Sequence, residues 1–404
     1  MEEYHYLLDL ALILFTTKLF GLISQKFKMP QVVGALLAGL ILGPAVLNIV
    51  QKSNFITTTS EIGVIILMFC AGLETDVKEL KKCGKASFVI ALLGVIVPLL
   101  GGFGVAYFFN QPGIIDSGAT CNVFLQNVFI GVILTATSVS ITVETLKELG
   151  RLKSESGNAI LGAAIIDDIL GIIALTVITS LADSSVNVWI VLLKILGFFA
   201  MVIVAGFAFY KLYVWWANRS KHLRHRHAII CFVFCLGMSY AAEALFGVAD
   251  ITGAFIAGLI LSNVERKTYV ASRLDILSYS LLSQVFFASI GLKVVLPNMS
   301  MAIVMFATAL TVVAILTKII GAGIGAKICH FSNKECIQIG TGMVSRGEVA
   351  LIVASKGAAL GVLSSVMLGP IVIVVVVTTI ISPILLKLAF SDKNNNIALN
   401  PDGK

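Results

Sequence analysis

Asp167 and Asp168 stand side by side in "GAAIIDDILGII" (Gly162–Ile173), a run with no other polar side chain. At the centre of a bilayer-spanning helix each carboxylate costs about 2.5–3.5 kcal/mol on insertion scales, so the position asks for a partner, a proton or an ion. Neighbours on a helix point about 100° apart, which gives the two carboxylates different surroundings and different roles. A second charge lies in "ILTKIIGAGIGAK", where Lys318 falls about eight residues short of the end of its run. Such a lysine snorkels to the interface or pairs. Lys327 already occupies the interfacial position, so we read Lys318 as the partner of one carboxylate, Asp167 by preference, although spacing alone does not choose between them.

Two further runs carry polar groups at similar depth. "ILTATSVSITV" holds Thr135, Thr137, Ser138 and Ser140, and "IGTGMVSRGEVAL" holds Ser345, Arg346 and Glu348. Single hydroxyls in membrane helices mostly satisfy their own backbone. Gly340, Gly342 and Gly347 interrupt the second run, as in broken helices whose ends and freed carbonyls bind ions. Arg346 reads as balancing a helix end, with a carboxylate partner as the alternative.

The chain that must position these groups has 404 residues, 58% hydrophobic and 13% charged, against roughly one quarter charged in soluble domains. It reads as an all-α polytopic membrane protein. Thirteen apolar runs are long enough to consider as spans, near 6–25, 31–49, 58–73, 88–109, 124–146, 156–180, 187–215, 228–245, 249–263, 275–296, 301–326, 335–355 and 366–389. The first follows Glu2 and Glu3 and lacks a small-residue cleavage site, so it reads as a retained helix. In alternate loops, one set holds 21 Lys and Arg and the other only Lys52, Lys293 and Lys356. Cytoplasmic loops collect basic residues, which places the N-terminus outside and the C-terminus inside. The formal charge of +7 is then topological, and nucleic acid is set aside as a partner. The basic stretch Asn218–His227 reads as an ordinary cytoplasmic loop, and residues 391–404 as a short polar cytoplasmic tail. The seven cysteines, without a CxxC pair, read as core thiols.

"VVGALLAGLILGP" (Val32–Pro44) and "ITGAFIAGLILSN" (Ile251–Asn263) match at seven of thirteen positions, at an offset of 219. The same offset aligns Gly72-Leu73 with Gly291-Leu292. An odd number of crossings separates the copies, so they run in opposite directions, the pattern of secondary transporters with a midplane site. The first repeat spans about 6–180, a linker helix about 187–215 and the second repeat about 228–389.

"GAAIIDDILG", "GAFIAGLILS", "FFASIGL", "TKIIG" and "SRGEVALI" together resemble the monovalent cation:proton antiporters of the Kef and NapA type. The resemblance implies thirteen helices, with a mobile core (about 88–180 and 301–389) moving against dimerisation or scaffold helices (about 6–73 and 228–296). It implies crossed broken helices and a homodimer in the cell membrane. By that resemblance Asp168 carries the cation or proton, and Asp167 pairs with Lys318. Thr137 and Ser138 lend oxygens, Asp168 and Thr137 being the cation ligands, while Arg346 and Glu348 support them. Related antiporters have a serine one turn before the binding aspartate, where this chain has Ala164. The paired-aspartate form implies electrogenic exchange of Na⁺, with Li⁺ as a further substrate and no cofactor. K⁺/H⁺ exchange is the alternative, followed by an organic-anion symporter or a sensor on the same fold. No metal triad, nucleophile pair or phosphate loop argues for an enzyme, and "GAGIG" (Gly321–Gly325) sits where small residues pack helices.

Overall fold

The computed structural model describes residues 4–111, 114–115, 121–182, 187–219, 224–264, 266–294 and 300–391. The tail beyond 391 and residues 220–223 of the basic stretch lie outside these residues. Each of the thirteen apolar runs carries helix. Nine helical stretches among the described residues are long and apolar enough to cross a bilayer, and four shorter apolar helices accompany them. Helices apolar on all sides belong in lipid or in a core shared with other helices.

In chain order the helices are α1 (His5–Lys26), α2 (Gln31–Leu42), α3 (Asn54–Glu74), α4 (Val77–Lys82), α5 (Gly84–Phe109), α6 (Val123–Ile133), α7 (Val139–Glu148), α8 (Glu155–Ala182) and α9 (Val188–Arg219). They continue as α10 (Arg224–Tyr240), α11 (Asp250–Leu261), α12 (Lys267–Leu277), α13 (Ser283–Leu292), α14 (Met301–Ile328), α15 (Asn333–Gly342), α16 (Glu348–Ala359) and α17 (Ser365–Phe390). π-helical turns extend α10 through Ala241–Phe246 and join α12 to α13 through Ser278–Leu282. The starts follow local chemistry. Ser53, Asn122, Ser300 and Ser364 accept backbone N–H bonds ahead of α3, α6, α14 and α17, and Ser332 with Glu335 forms a capping box at α15.

Three runs differ from their expected spans. The run at 31–49 is helical only to Leu42, because Gly43 and Pro44 stop it and 43–50 folds back in turns onto the helix end. The runs at 124–146 and 335–355 are each two half-helices, broken at 134–138 and 343–347. Hydroxyl and β-branched residues in the first break and glycine in the second lower helix propensity there.

The inverted repeat is visible in the packing. α2 and α11, twelve residues each, stand 219 apart at both ends. α2 packs on α13, and α3 packs on α11. A Cβ on Gly39 would lie 2.0 Å from the Ala288 carbonyl oxygen, and one on Gly291 2.3 Å from Leu40 N. In the other pairing, a Cβ on Gly72 would lie 2.1 Å from Phe255 O, and one on Gly258 2.2 Å from Phe69 O. Adding 219 to Gly39 and Gly72 gives Gly258 and Gly291, so one contact is made twice, each time between opposite repeats. α5 and α14, also counterparts by offset, share the most extensive helix–helix contact in the fold.

Candidate functional site

The two breaks meet. Ser138 N donates to Ser345 O at 2.7 Å, and Ser345 Oγ donates to Ser138 O at 2.8 Å, so each break satisfies the other's freed backbone. Thr142 Oγ1 donates to the Gly342 carbonyl at 2.8 Å and lies 2.9 Å from Ser345 Oγ. The approach needs glycine at 347, where a Cβ would come within 2.6 Å of Ser138 Oγ. Four helix ends therefore face one another inside the membrane: the C-terminal ends of α6 and α15 and the N-terminal ends of α7 and α16.

Helix ends carry partial charge, about half an elementary charge each, and here each sign has a counterpart. Arg346, fully buried, donates to the carbonyls of Leu134 at 2.7 Å and Val344 at 2.9 Å, at the ends of α6 and α15, and to Ala314 on α14 at 3.0 Å. Thr379 in turn donates to the Arg346 carbonyl. The positive ends of α7 and α16 have no side-chain cap. Asp167 of α8 adjoins Thr137, in the break ahead of α7.

Asp167 is 2% exposed and Lys318 0%. Lys318 Nζ on α14 donates to Asp167 Oδ1 at 2.9 Å. Asp167 Oδ2 and Thr137 Oγ1 are both buried and adjoin each other. Asp168, one position on, is partly exposed and has no described ion-pair or hydrogen-bond partner. The difference follows from the helical turn: one carboxylate is clamped inward by Lys318 and the other is partly exposed.

Burial is uneven along α8. On α8, Ser156 through Ala164 are all buried, whereas most positions from Ile165 towards Ala182 are partly exposed. At the opposite face the end of α7 is tied down. Glu148 accepts from Gln31 N at 2.6 Å and Val32 N at 3.1 Å, capping the N-terminus of α2, where Pro30 provides no donor. Lys147 pairs with Asp275 on α12 and lies 3.8 Å from Glu74 on α3. A cavity of about 170 Å³ remains beneath, lined by Glu144, Lys147, Glu148 and Asp275.

The structure thus brings Asp167, Asp168, Lys318, Thr137, Ser138 and Arg346 to one crossing, while the side chain of Glu348 falls outside what is described. Sequence reasoning missed Thr142, Thr379 and the Lys147–Glu148 tie. Their partners are distant in the chain, and a charged pair at a helix end in a basic loop carries no signal of its own. Among the described residues no three His, Cys, Asp or Glu side chains converge as a metal cage. The oxygen donors of the cluster are the two carboxylates and the Thr137 hydroxyl beside Asp167, a set suited to hard cations.

Comparison with known proteins finds relatives along nearly the whole chain. A family model described as "sodium/hydrogen exchanger, transmembrane" matches residues 11–391. The Na⁺/H⁺-K⁺ antiporter GerN of Bacillus cereus is 41% identical over 397 residues, covering 97% of this chain and 98% of that protein. A Na⁺/H⁺ antiporter of Enterococcus hirae is 39% identical over 388 residues, covering 94% and 96%. The solved structure of the sodium proton antiporter MjNhaP1 from Methanocaldococcus jannaschii superimposes with a TM-score of 0.67 at 23% identity, covering 96% of this chain and 99% of that one, a likeness of fold.

Proposed function

The chain belongs to the transmembrane sodium/hydrogen exchanger family, and from that premise we propose that Asp168 is the site at which it exchanges Na⁺ for protons. The observation that carries this reading is the partly exposed, unpartnered Asp168 carboxylate beside a buried Asp167–Lys318 pair. A carboxylate holds a proton or, with Thr137 and carbonyl oxygens around it, a desolvated cation. It does not hold both, and competition for the same oxygens makes the exchange obligatory.

Cation at Asp168 adds positive charge beside Lys318 and draws Asp167 away from it. The lysine is then a buried cation without its anion, and it releases a proton. One positive charge enters as two protons leave, so transport is electrogenic. The groups titrate as one cluster, not as separate residues. Arg346 and the Ser138–Ser345 crossing hold the helix ends in place around the site, with Glu348 at the start of α16.

Alternating access follows from moving α5–α8 and α14–α17 as a core against the scaffold of α1–α3 and α10–α13, with α9 as linker. The Lys147–Glu148 tie joins core to scaffold and marks a state closed on that face and open towards Ala182. By the distribution of basic loops the closed face is cytoplasmic, with the N-terminus outside, in the cell membrane. We assign the working unit as a homodimer on the family resemblance to Kef- and NapA-type antiporters.

The test is transport in proteoliposomes loaded with a pH-sensitive dye, adding Na⁺, Li⁺ and K⁺ in turn with the membrane potential clamped or free. We expect Na⁺ and Li⁺ to move protons, faster with the potential clamped than with it left free to build up against electrogenic exchange. No cation-driven proton movement under any condition overturns the reading, and K⁺ alone driving it replaces Na⁺ with K⁺.

A further inference from the structure

Glu144 stands on α7 one turn before the Lys147–Glu148 tie and is 9% exposed. Among the described residues it makes no hydrogen bond or ion pair. A carboxylate buried in this way asks for a counter-charge or a proton. Its side chain lines the cavity of about 170 Å³ under the tie, and the other charged groups on those walls are Lys147, Glu148 and Asp275. Glu74 of α3 adds a fourth carboxylate, 3.8 Å from Lys147 Nζ. The lysine is engaged by Asp275 on α12, and Glu148 by the backbone N–H groups of Gln31 and Val32. Glu144 has neither contact. From α1, the exposed Lys18 donates to the Tyr279 hydroxyl at 3.5 Å, so its charge is spent at the rim.

We propose that this cavity holds an alkali-metal cation with part of its water shell, bound through the Glu144 carboxylate, as a second site apart from Asp168. The Ser278 and Ser283 hydroxyls, 2.8 Å from each other, supply further oxygens on the wall formed by α12 and α13, and carboxylate, hydroxyl and water oxygens suit a hard cation. Among the described residues no three carboxylates converge there as a cage, so the ion keeps water and Na⁺ and K⁺ are held alike. A proton answers Glu144 alone, whereas a cation in the cavity also answers Glu148 and Asp275 on its walls. An ion in that place competes with Lys147 for Asp275, so filling the cavity loosens the contact between α7 and α12, and cation on the closed face promotes its opening. That last consequence rests on the transport reading, and the binding site does not.

Asp168→Asn removes the transport site and leaves this one, so the two readings fail separately. Thermal unfolding of the purified full chain carrying Asp168→Asn is followed in detergent with NaCl, KCl or choline chloride at equal ionic strength. The expected result is a midpoint a few degrees higher in Na⁺ or K⁺ than in choline, and the addition of Glu144→Gln removes that difference. Should the double variant fail to fold, Rb⁺ in crystals of the Asp168→Asn chain gives an anomalous peak beside Glu144, and the absence of a peak there overturns the proposal. Equal midpoints in the three salts overturn it too, as does a cation effect that survives Glu144→Gln. A midpoint that responds to Mg²⁺ and to neither Na⁺ nor K⁺ replaces the alkali cation with a divalent one, and one that responds through Glu144 to pH and to no cation replaces it with a proton.

Discussion

Of the two adjacent aspartates, Asp167 is held by Lys318 and Asp168 is open, and substitutions at the two positions separate accordingly. Asp168→Asn keeps the shape of the side chain and removes the site for cation and proton, so transport is abolished while the unfolding midpoint changes little. In the wild type, protons and Na⁺ compete, so below the titration range of the cluster each unit fall in pH raises the apparent KM for Na⁺ about a hundredfold, ten for each of the two protons displaced. A KM independent of pH in proteoliposomes contradicts a shared site. Lys318→Gln leaves Asp167 buried without its cation, a change that costs about 3–5 kcal/mol in buried pairs. The expected result is a markedly lower unfolding midpoint together with loss of electrogenicity. Normal stability with electrogenic transport retained refutes the role given to the lysine. The doublet and Lys318 were legible in sequence because intramembrane charge is rare. Which carboxylate takes the lysine was not, since it depends on the rotation of α8 against α14.

At the scale of elements, the broken helices explain why the polar cluster tolerates burial: Arg346 covers two C-terminal ends, and Asp167 stands beside Thr137 in the break ahead of α7. Gly347→Val places branched carbons where Ser138 Oγ already sits. Overpacking of this kind costs about 1–3 kcal/mol, and because the crossing is shared, Na⁺ affinity falls along with the unfolding midpoint. An unchanged KM in a destabilised variant would separate the crossing from the site. Glycine announced the second break in the sequence, whereas the first, at 134–138, lies among Thr, Ala and Ser residues that read equally well as continuous helix. The tie at the end of α7 was illegible because its strongest partner is the backbone of α2, and main-chain donors leave no trace in residue types.

For the molecule as a whole, that tie sets which face is open. Glu148→Gln keeps an acceptor for the α2 N-terminus and removes the charge, a loss of about 0.5–1 kcal/mol by the usual worth of a carboxylate at a helix start. The closed-to-open ratio then falls roughly two- to five-fold. Cysteine labelling in the cavity below Lys147 should increase correspondingly, and unchanged labelling would show that the tie is ornamental to the equilibrium. The overall layout was legible at this scale because apolar runs, basic-loop asymmetry and a repeated offset are each long-range patterns. The shortening of α2 at Gly43 and the division of two runs into half-helices were not, because hydropathy measures burial and is blind to where the backbone turns.

The paired glycine contacts also bear on how the chain is made. α2 presents Gly39 to α13, and α3 presents Gly72 to α11, so the close-packed faces of the first repeat have no match within that repeat. During synthesis the α3 face waits in the bilayer for about 180 further residues and the α2 face for about 250. The N-terminal half by itself is therefore an orphan subunit, exposed to quality-control proteolysis, and a separately expressed C-terminal half should rescue it.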